Sequence, residues 1–344
     1  MFAYVGSFTN PARNGRGNGI NVYRVTDSGP WQHLQHVPAL ENPSFLRIGP
    51  DGRTLYTVHG SGTRMSAYAI DPGTGNATLI DTAASGGENP VDFGFDPSWD
   101  NMVVANYGSG TVAVLKRAEG GALSDPHQII HLSGTPGPHP TEQPASLPHG
   151  VTPDPTAAFA VIPDKGLDTI YVFRWEGDRL TQVEACPTAP GAGPRHAAFH
   201  PHLPVLYVVN ELDCTVLTLS WNEGRLAILQ CLSTLPEGTS TPSTGAEIAV
   251  SPSGNCVYTS NRGHDSIARF SADPATGLLT FRECTALPGR EPRFFSIDPT
   301  GRHLHAAHQN SDSIASFGID ESGALQGGQV VVETGSPVAI CYLP

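Results

Sequence analysis

One spacing recurs through this chain and constrains its fold more than any other feature. A proline is followed by a second proline seven residues later and by an Asn, Asp or His sixteen residues later. Pro43, Pro50 and His59 form the first set, and Pro90, Pro97 and Asn106 the second. Pro148, Pro155 and Asp164, then Pro194, Pro201 and Asn210, then Pro292, Pro299 and His308 repeat it. Gly245, Pro252 and Asn261 keep the spacing with glycine in the first place. Six sets without a slip mark a repeat protein, in which each unit buries its apolar faces only against its neighbours.

The unit itself reads as strands. From Glu247 to Tyr258 an alternating apolar run enters a Pro-x-Gly turn at Pro252-Ser253-Gly254 and leaves as a second apolar run, which predicts a hairpin. Ser266 to Phe270 predicts a third strand, the Asp273-Pro274-Ala275-Thr276-Gly277 turn follows, and Leu278 to Phe281 predicts a fourth. Four short antiparallel strands in about 45 residues describe a propeller blade. At the chain ends, Pro337 and Pro344 keep the first spacing, and Tyr4 stands where Tyr56, Tyr207 and Tyr258 stand in their units. The C-terminus is therefore expected to supply the inner strand, and residues 1–37 the other three strands, of a seventh blade. Sharing a blade between the two termini closes the ring and removes open sheet edges. The expected fold is all-β: one domain over residues 1–344, a seven-bladed β-propeller whose shared blade joins 1–37 to 336–344.

Charge narrows the partners. With a net charge of -13 the chain is a poor match for nucleic acid or an anionic membrane surface. No apolar run approaches the roughly 20 residues of a membrane span. Met1 to Tyr4 has neither a basic region nor a cleavage pattern. The six cysteines are dispersed without a Cys-x-x-Cys pair, as expected of free thiols in a reducing compartment, so a cytoplasmic location is predicted. Two segments, 127–147 and 236–245, break the even spacing on one face of the disc and are expected to wall or cover a site. Asn42, Asp96, Asp154 and Asp298 read as turn residues, His200 and His202 as structural. No grouping of ligands calls for a metal or other cofactor, and the sequence is as compatible with a homo-oligomer as with a monomer.

Charged residues make up only 15% of the chain, so their clustering is informative. The residue after the start of each set begins the innermost strand: Ser44, Val91, His149, Arg195, Ala246, Arg293. The residue after its end closes the second strand: Gly60, Tyr107, Lys165, Glu211, Arg262, Gln309. His149, Lys165, Arg195, Glu211, Arg262 and Arg293 thus crowd equivalent places in four consecutive units. A single ion pair here would be ordinary bracing between blades. Four cations and a histidine against one carboxylate predict an anionic ligand in the central funnel.

These residues resemble a known family. Gly193-Pro194-Arg195-His196 with Phe199-His200-Pro201, Tyr207 to Glu211, Ala246 to Pro252, Ser260 to Ile267 and Gln309 to Phe317 are together similar to the seven-bladed lactonases. That family includes bacterial propeller-type 6-phosphogluconolactonase and fungal 3-carboxy-cis,cis-muconate lactonising enzyme. The resemblance implies a catalytic set of His149, Arg195, Glu211 and Arg262, with Leu147, Lys165 and His308 departing from the family pattern. Opening a lactone requires an activated water, a stabilised oxyanion and a proton for the leaving oxygen. Glu211 or His149 is the candidate base and Arg262 or Arg195 the oxyanion partner. Lys165 and Arg293 would grip a phosphate or carboxylate, with His196 and Gln309 as further substrate-binding residues. The expected function is hydrolysis of an anionic sugar lactone of the 6-phosphogluconolactone type. A carboxymuconate lactonising enzyme and a non-enzymatic binding propeller are the alternatives.

Overall fold

The computed structural model describes residues 1–26 and 29–344. Its strands form seven four-stranded antiparallel sheets, six of them in simple chain order from the axis outward and the seventh shared between the chain ends. The first blade contains Pro43–Ile48, Thr54–His59, Arg64–Ile70 and Ala77–Ala84; the closing blade pairs Pro337–Leu343 with Phe2–Ser7, Ile20–Arg24 and Gln32–Val37. The closure expected from the termini is therefore present, with Tyr4 opposite Cys341 in the joining register. One expectation needs correcting. Gln128–His131 belongs to no inserted loop; it pairs with Thr111–Lys116 as the outer strand of the second blade. Its Gln-Ile-Ile-His sequence is too short and too exposed on alternate residues to announce itself.

Burial follows from two-sided packing. The apolar core is divided into seven wedges, one between each pair of adjacent sheets. In the second strand of the fourth unit, Leu206 and Val208 enter one wedge while Tyr207 and Val209 enter the next. A strand covered on both faces must read as a continuous apolar run, and this one does. Turns are closed by the residue before the second proline of each set. Asp96 Oδ1 accepts from the Asn101 amide (3.1 Å), Asp154 Oδ1 from Phe159 (2.9 Å) and Asp298 Oδ1 from Arg302 (3.0 Å).

Neighbouring blades are also pegged by hydrogen bonds. Tyr4, Tyr56, Tyr207 and Tyr258, all fully buried, donate to the carbonyls of Gly75, Gly121, Gly277 and Gly323 at 2.7–3.0 Å. Each acceptor sits in the outer hairpin of the following blade with φ between 72° and 90°, a conformation glycine adopts without strain. A buried hydroxyl left without such a partner would cost about 1–3 kcal/mol, so the pegs fix how the wedges meet.

Among the described residues no helix is long and apolar enough to cross a membrane. His308 stands where three other units carry Asn106, Asn210 and Asn261. Burial pushes its imidazole down to about 4, as it does those of His59 and His305. An unfolded chain takes up these protons below about pH 6.5 while the native state does not, so stability falls as pH drops from 6.5 toward 4. Replacing His308→Asn should therefore shrink the loss of Tm between about pH 7 and pH 5. An unchanged or steeper pH dependence would contradict this origin.

Candidate active site

The register of the inner strands explains why the first residue of each set faces the axis. In the first blade Pro43 pairs with His59, but the next pair is Phe45 with Val58, so Ser44 is an extra residue with no opposite number. The same one-residue bulge follows Pro90, Pro194, Gly245 and Pro292. It lies between Pro148 and Thr152 in the third unit and between Pro337 and Ala339 in the shared blade. A bulge places two consecutive residues against one and re-aims their side chains. Accordingly Ser44, Val91, His149, Arg195, Arg293 and Val338 all line a single hollow on the axis.

Beside that hollow lies a cluster built on one carboxylate. Glu211 Oε1 is 2.9 Å from Lys165 Nζ and 3.2 Å from Arg262 Nη2, and Oε2 is 3.1 Å from Arg195 Nε. The last is an ion pair without an aligned N–H bond. Burial alone would push Glu211 up, but the charges of Arg262, Lys165 and Arg195 hold it well below the usual carboxylate range. Burial acts against the Lys165 ammonium too, but Glu211, Tyr107 and Glu142 together more than offset it. Outer carboxylates assist: Glu142 is 2.6 Å from Lys165 Nζ and Glu291 is 3.8 Å from Arg262 Nη1. Arg195 Nη1 donates to the Ala246 carbonyl and Arg262 Nη2 to that of Gly245. The predicted excess of positive charge in this cluster is thus largely neutralised, by two glutamates that lie outside the repeating positions.

The uncompensated charge is elsewhere. Arg293 and Arg13 both line the hollow, and both guanidinium groups stack on the Phe8 ring at 5.2 and 5.3 Å from its centroid. Arg13 donates to Ser61 Oγ (2.8 Å) and Asn89 Oδ1 (3.1 Å). Among the described residues neither arginine forms a salt bridge. Burial, then Arg195 and Arg262, oppose the charge on Arg293, and burial opposes that on Arg13. Two stacked cations without counter-charge make a ready anion subsite.

His149 is 5% exposed and holds a histidine rather than a carboxylate: its Nδ1 is 3.2 Å from His196 Nε2, and His196 Nδ1 is 2.9 Å from Glu247 Oε1. The Tyr107 ring meets His149 edge-on at 5.5 Å. Burial, followed by Arg195, His196, Arg293 and Lys165, lowers the His149 imidazole well below 6.5, so it is neutral at pH 7.

Of the residues predicted from the sequence, His149, Arg195, His196 and Arg293 line the hollow. Glu211, Arg262 and Lys165 adjoin it as the neutralised cluster. Gln309 is apart from both; its carbonyl accepts from Arg16. Within segment 127–147, Glu142 reaches Lys165. Arg13, Phe8, Asn89, Glu247 and Tyr107 were not foreseen. Glu247 occupies the second bulge position, one residue beyond the position compared between units, and that signal was available. Arg13 and Phe8 enter from the shared blade, where the spacing is broken. Among the described residues no three His, Cys, Asp or Glu side chains converge as a metal site.

A family described as "Lactonase, 7-bladed beta-propeller" matches residues 2–342. The chain is 33% identical over 303 residues to a 6-phosphogluconolactonase of Bacillus subtilis, covering 86% of this chain and 84% of that one. It is 32% identical over 311 residues to a 6-phosphogluconolactonase of Formosa agariphila, covering 86% of each. The periplasmic gluconolactonase of Pseudomonas aeruginosa superposes with a TM-score of 0.92 at 31% identity, over 100% of this chain and 99% of that one.

The cluster makes a prediction independent of chemistry. Glu211→Gln leaves Lys165, Arg195 and Arg262 facing a neutral amide. Removing one side of a buried ion pair costs about 3–5 kcal/mol, so the urea midpoint should fall markedly. A variant as stable as the parent would show that Glu211 does not hold the cluster.

Proposed function

Because the chain belongs to the 7-bladed β-propeller lactonase family, we propose that it hydrolyses the ring ester of an anionic sugar lactone, with 6-phosphogluconolactone as the substrate. Relatives of that name over most of the chain support the reaction. The observation that carries the substrate class is the pair of unneutralised guanidiniums, Arg13 and Arg293, at one side of a hollow that also holds His149 and Arg195. A phosphate offers both of them charge-assisted, two-pronged hydrogen bonds.

Glu211 fits the role of base poorly. Its oxygens already face three cations, and taking a proton would cost all of those interactions. His149 fits it well, being neutral and at the hollow. In the proposed sequence, water bonds to the lactone carbonyl carbon while its proton passes to His149. The carbonyl oxygen becomes an oxyanion that Arg195 stabilises, as preorganised charge facing developing charge. The bond from carbon to ring oxygen then breaks, and His149 returns the proton to the leaving alkoxide. The product is the open-chain hydroxy acid, and His149 is neutral again. Arg262 and Lys165 act through Glu211, keeping Arg195 in place.

A cytoplasmic location is supported by six cysteines that are all free, as a reducing compartment would keep them.

Steady-state assay with 6-phosphogluconolactone, corrected for its spontaneous opening, is the test. A kcat/KM of about 10⁴ M⁻¹s⁻¹ or more is expected, and no rate above background would sink the proposal. Arg13→Gln and Arg293→Gln should each raise KM for the phosphorylated lactone by about 10- to 100-fold, the worth of one charge-assisted hydrogen bond. Unphosphorylated gluconolactone should be little affected; equal effects on both substrates would dismiss the phosphate grip.

The pH profile adds a sign test. A base with a depressed pKa stays deprotonated below pH 6.5, so the acid limb of kcat/KM should lie below that value. Bound phosphate beside Arg293 offsets one of the charges that depress His149, so the acid limb of kcat should lie at higher pH than that of kcat/KM. The reverse order would contradict the assignment.

A further inference from the structure

The second residue of each bulge makes a deeper ring in the channel, and in the fourth and fifth units it is His196 and Glu247. Both are buried, and both face the hollow on one side and a deeper cavity lined by Arg47 and Asp92 on the other. We infer that Glu247 and His196 form a relay that fixes the ring orientation and tautomer of His149 and stabilises it as an imidazolium when it takes the proton from water. The inference rests on the lactonase reading above.

Hydrogen-bond valence carries it. Both Glu247 oxygens are within reach of His196 Nδ1, at 2.9 and 3.0 Å, and Oε1 also accepts from the Ile248 amide at 3.0 Å. An ionised carboxylate only accepts, so His196 Nδ1 bears the hydrogen. In a neutral ring this leaves His196 Nε2 as an acceptor, and 3.2 Å away stands His149 Nδ1, which must then be the donor. The remaining nitrogen, His149 Nε2, is left with a lone pair and no hydrogen-bond partner among the described residues. The tautomers are assigned from this network, and each follows from the one before it.

The surroundings hold the chain in place. Phe45 meets His196 edge-on at 6.3 Å and Tyr107 meets His149 at 5.5 Å. Gly150 leaves the room required: a Cβ there would lie 2.9 Å from the Arg195 carbonyl oxygen and 3.4 Å from the His196 ring. The charged groups facing His149 are Arg195, Arg293 and Lys165, all positive. Those facing the relay are Arg195 and, across the deeper cavity, Asp92 with Arg47. A base ringed by cations gains little from taking a proton unless a carboxylate is linked to it. Glu247, through His196, supplies that link without itself being protonated, the logic of an acid that orients a catalytic imidazole. In the cycle proposed above, His149 Nε2 gains the water proton and later yields it to the alkoxide. Nδ1–H stays on His149 throughout, and its hydrogen bond to His196 shortens while the ring is charged.

Glu247 and His196 are thus positioning residues, and the alternative is a buried pair that only braces two blades. Glu247→Gln separates the two. The relay predicts kcat for 6-phosphogluconolactone reduced by about 10- to 100-fold, with KM within about 2-fold. The acid limb of kcat should move to lower pH, because a charge favouring the imidazolium is gone. Glu247→Asp should recover much of the loss. A Gln variant with parental kcat, or one whose loss leaves the acid limb in place and is matched by loss of fold, would overturn the relay. Nitrogen-15 NMR of the imidazoles in the unmodified protein at neutral pH supplies a second measurement that needs neither folding of the variant nor turnover. It should find His196 and His149 both protonated at Nδ1, and an Nδ1 lone pair on either ring would overturn the relay. An inactive parent protein with the predicted tautomers would instead count against the substrate assignment.

Discussion

The bulge after the first residue of each inner strand is the constraint on which the site depends. One unpaired residue per blade costs the sheet a ladder position and gains two side chains aimed at the axis. Repeated seven times, it turns a closed ring into a container whose lining is drawn from the whole length of the chain. The wedges and tyrosine pegs matter functionally because they fix the angle between blades, and with it the distances across the hollow. A shift of about 1 Å between His149 and Arg195 is the size of error that costs catalysis heavily.

Electrostatics then divides the cations into two kinds. Lys165, Arg195 and Arg262 are held by Glu211 and by carboxylates at the margin, so they act as a rigid, nearly neutral body. Arg13 and Arg293 are stacked on Phe8 with no carboxylate partner among the described residues, and in the proposed reading the substrate's anion supplies their counter-charge. In the proposed mechanism the first set has the work of positioning and the second the work of recognition. In the same mechanism the two are coupled: an anion beside Arg293 would strengthen His149 as a base, since Arg293 is among the charges that lower its pKa. Substrates lacking the anion would then bind less well and also meet a weaker base.

Much of this was legible in the sequence. The spacing of Pro194, Pro201 and Asn210 and its equivalents identified blade number, ring closure and the position that becomes the bulge. Charge at that position picked out His149, Arg195 and Arg293. What escaped did so for physical reasons. Glu247 stands one residue further on, and only the bulge, invisible in a linear pattern, sends two consecutive residues the same way. Arg13 lies on a short turn of the shared blade, outside any repeated register. Glu142 and Glu291 sit in connections, so counting charges at equivalent positions overstated the imbalance around Glu211. Residues 128–131 form a four-residue outer strand with too little apolar pattern to distinguish it from a loop.

We propose that residues from separate blades form one hollow that holds an anionic sugar acid with its acyl end at His149. A crystal structure with bound 6-phosphogluconate, the product of the proposed reaction, tests it most directly. Phosphate oxygens are expected between the Arg13 and Arg293 guanidiniums, and the carboxylate within hydrogen-bond reach of Arg195 and His149 Nε2. Ligand bound on another face, or with its phosphate on Lys165 and its carboxylate away from His149, would contradict it.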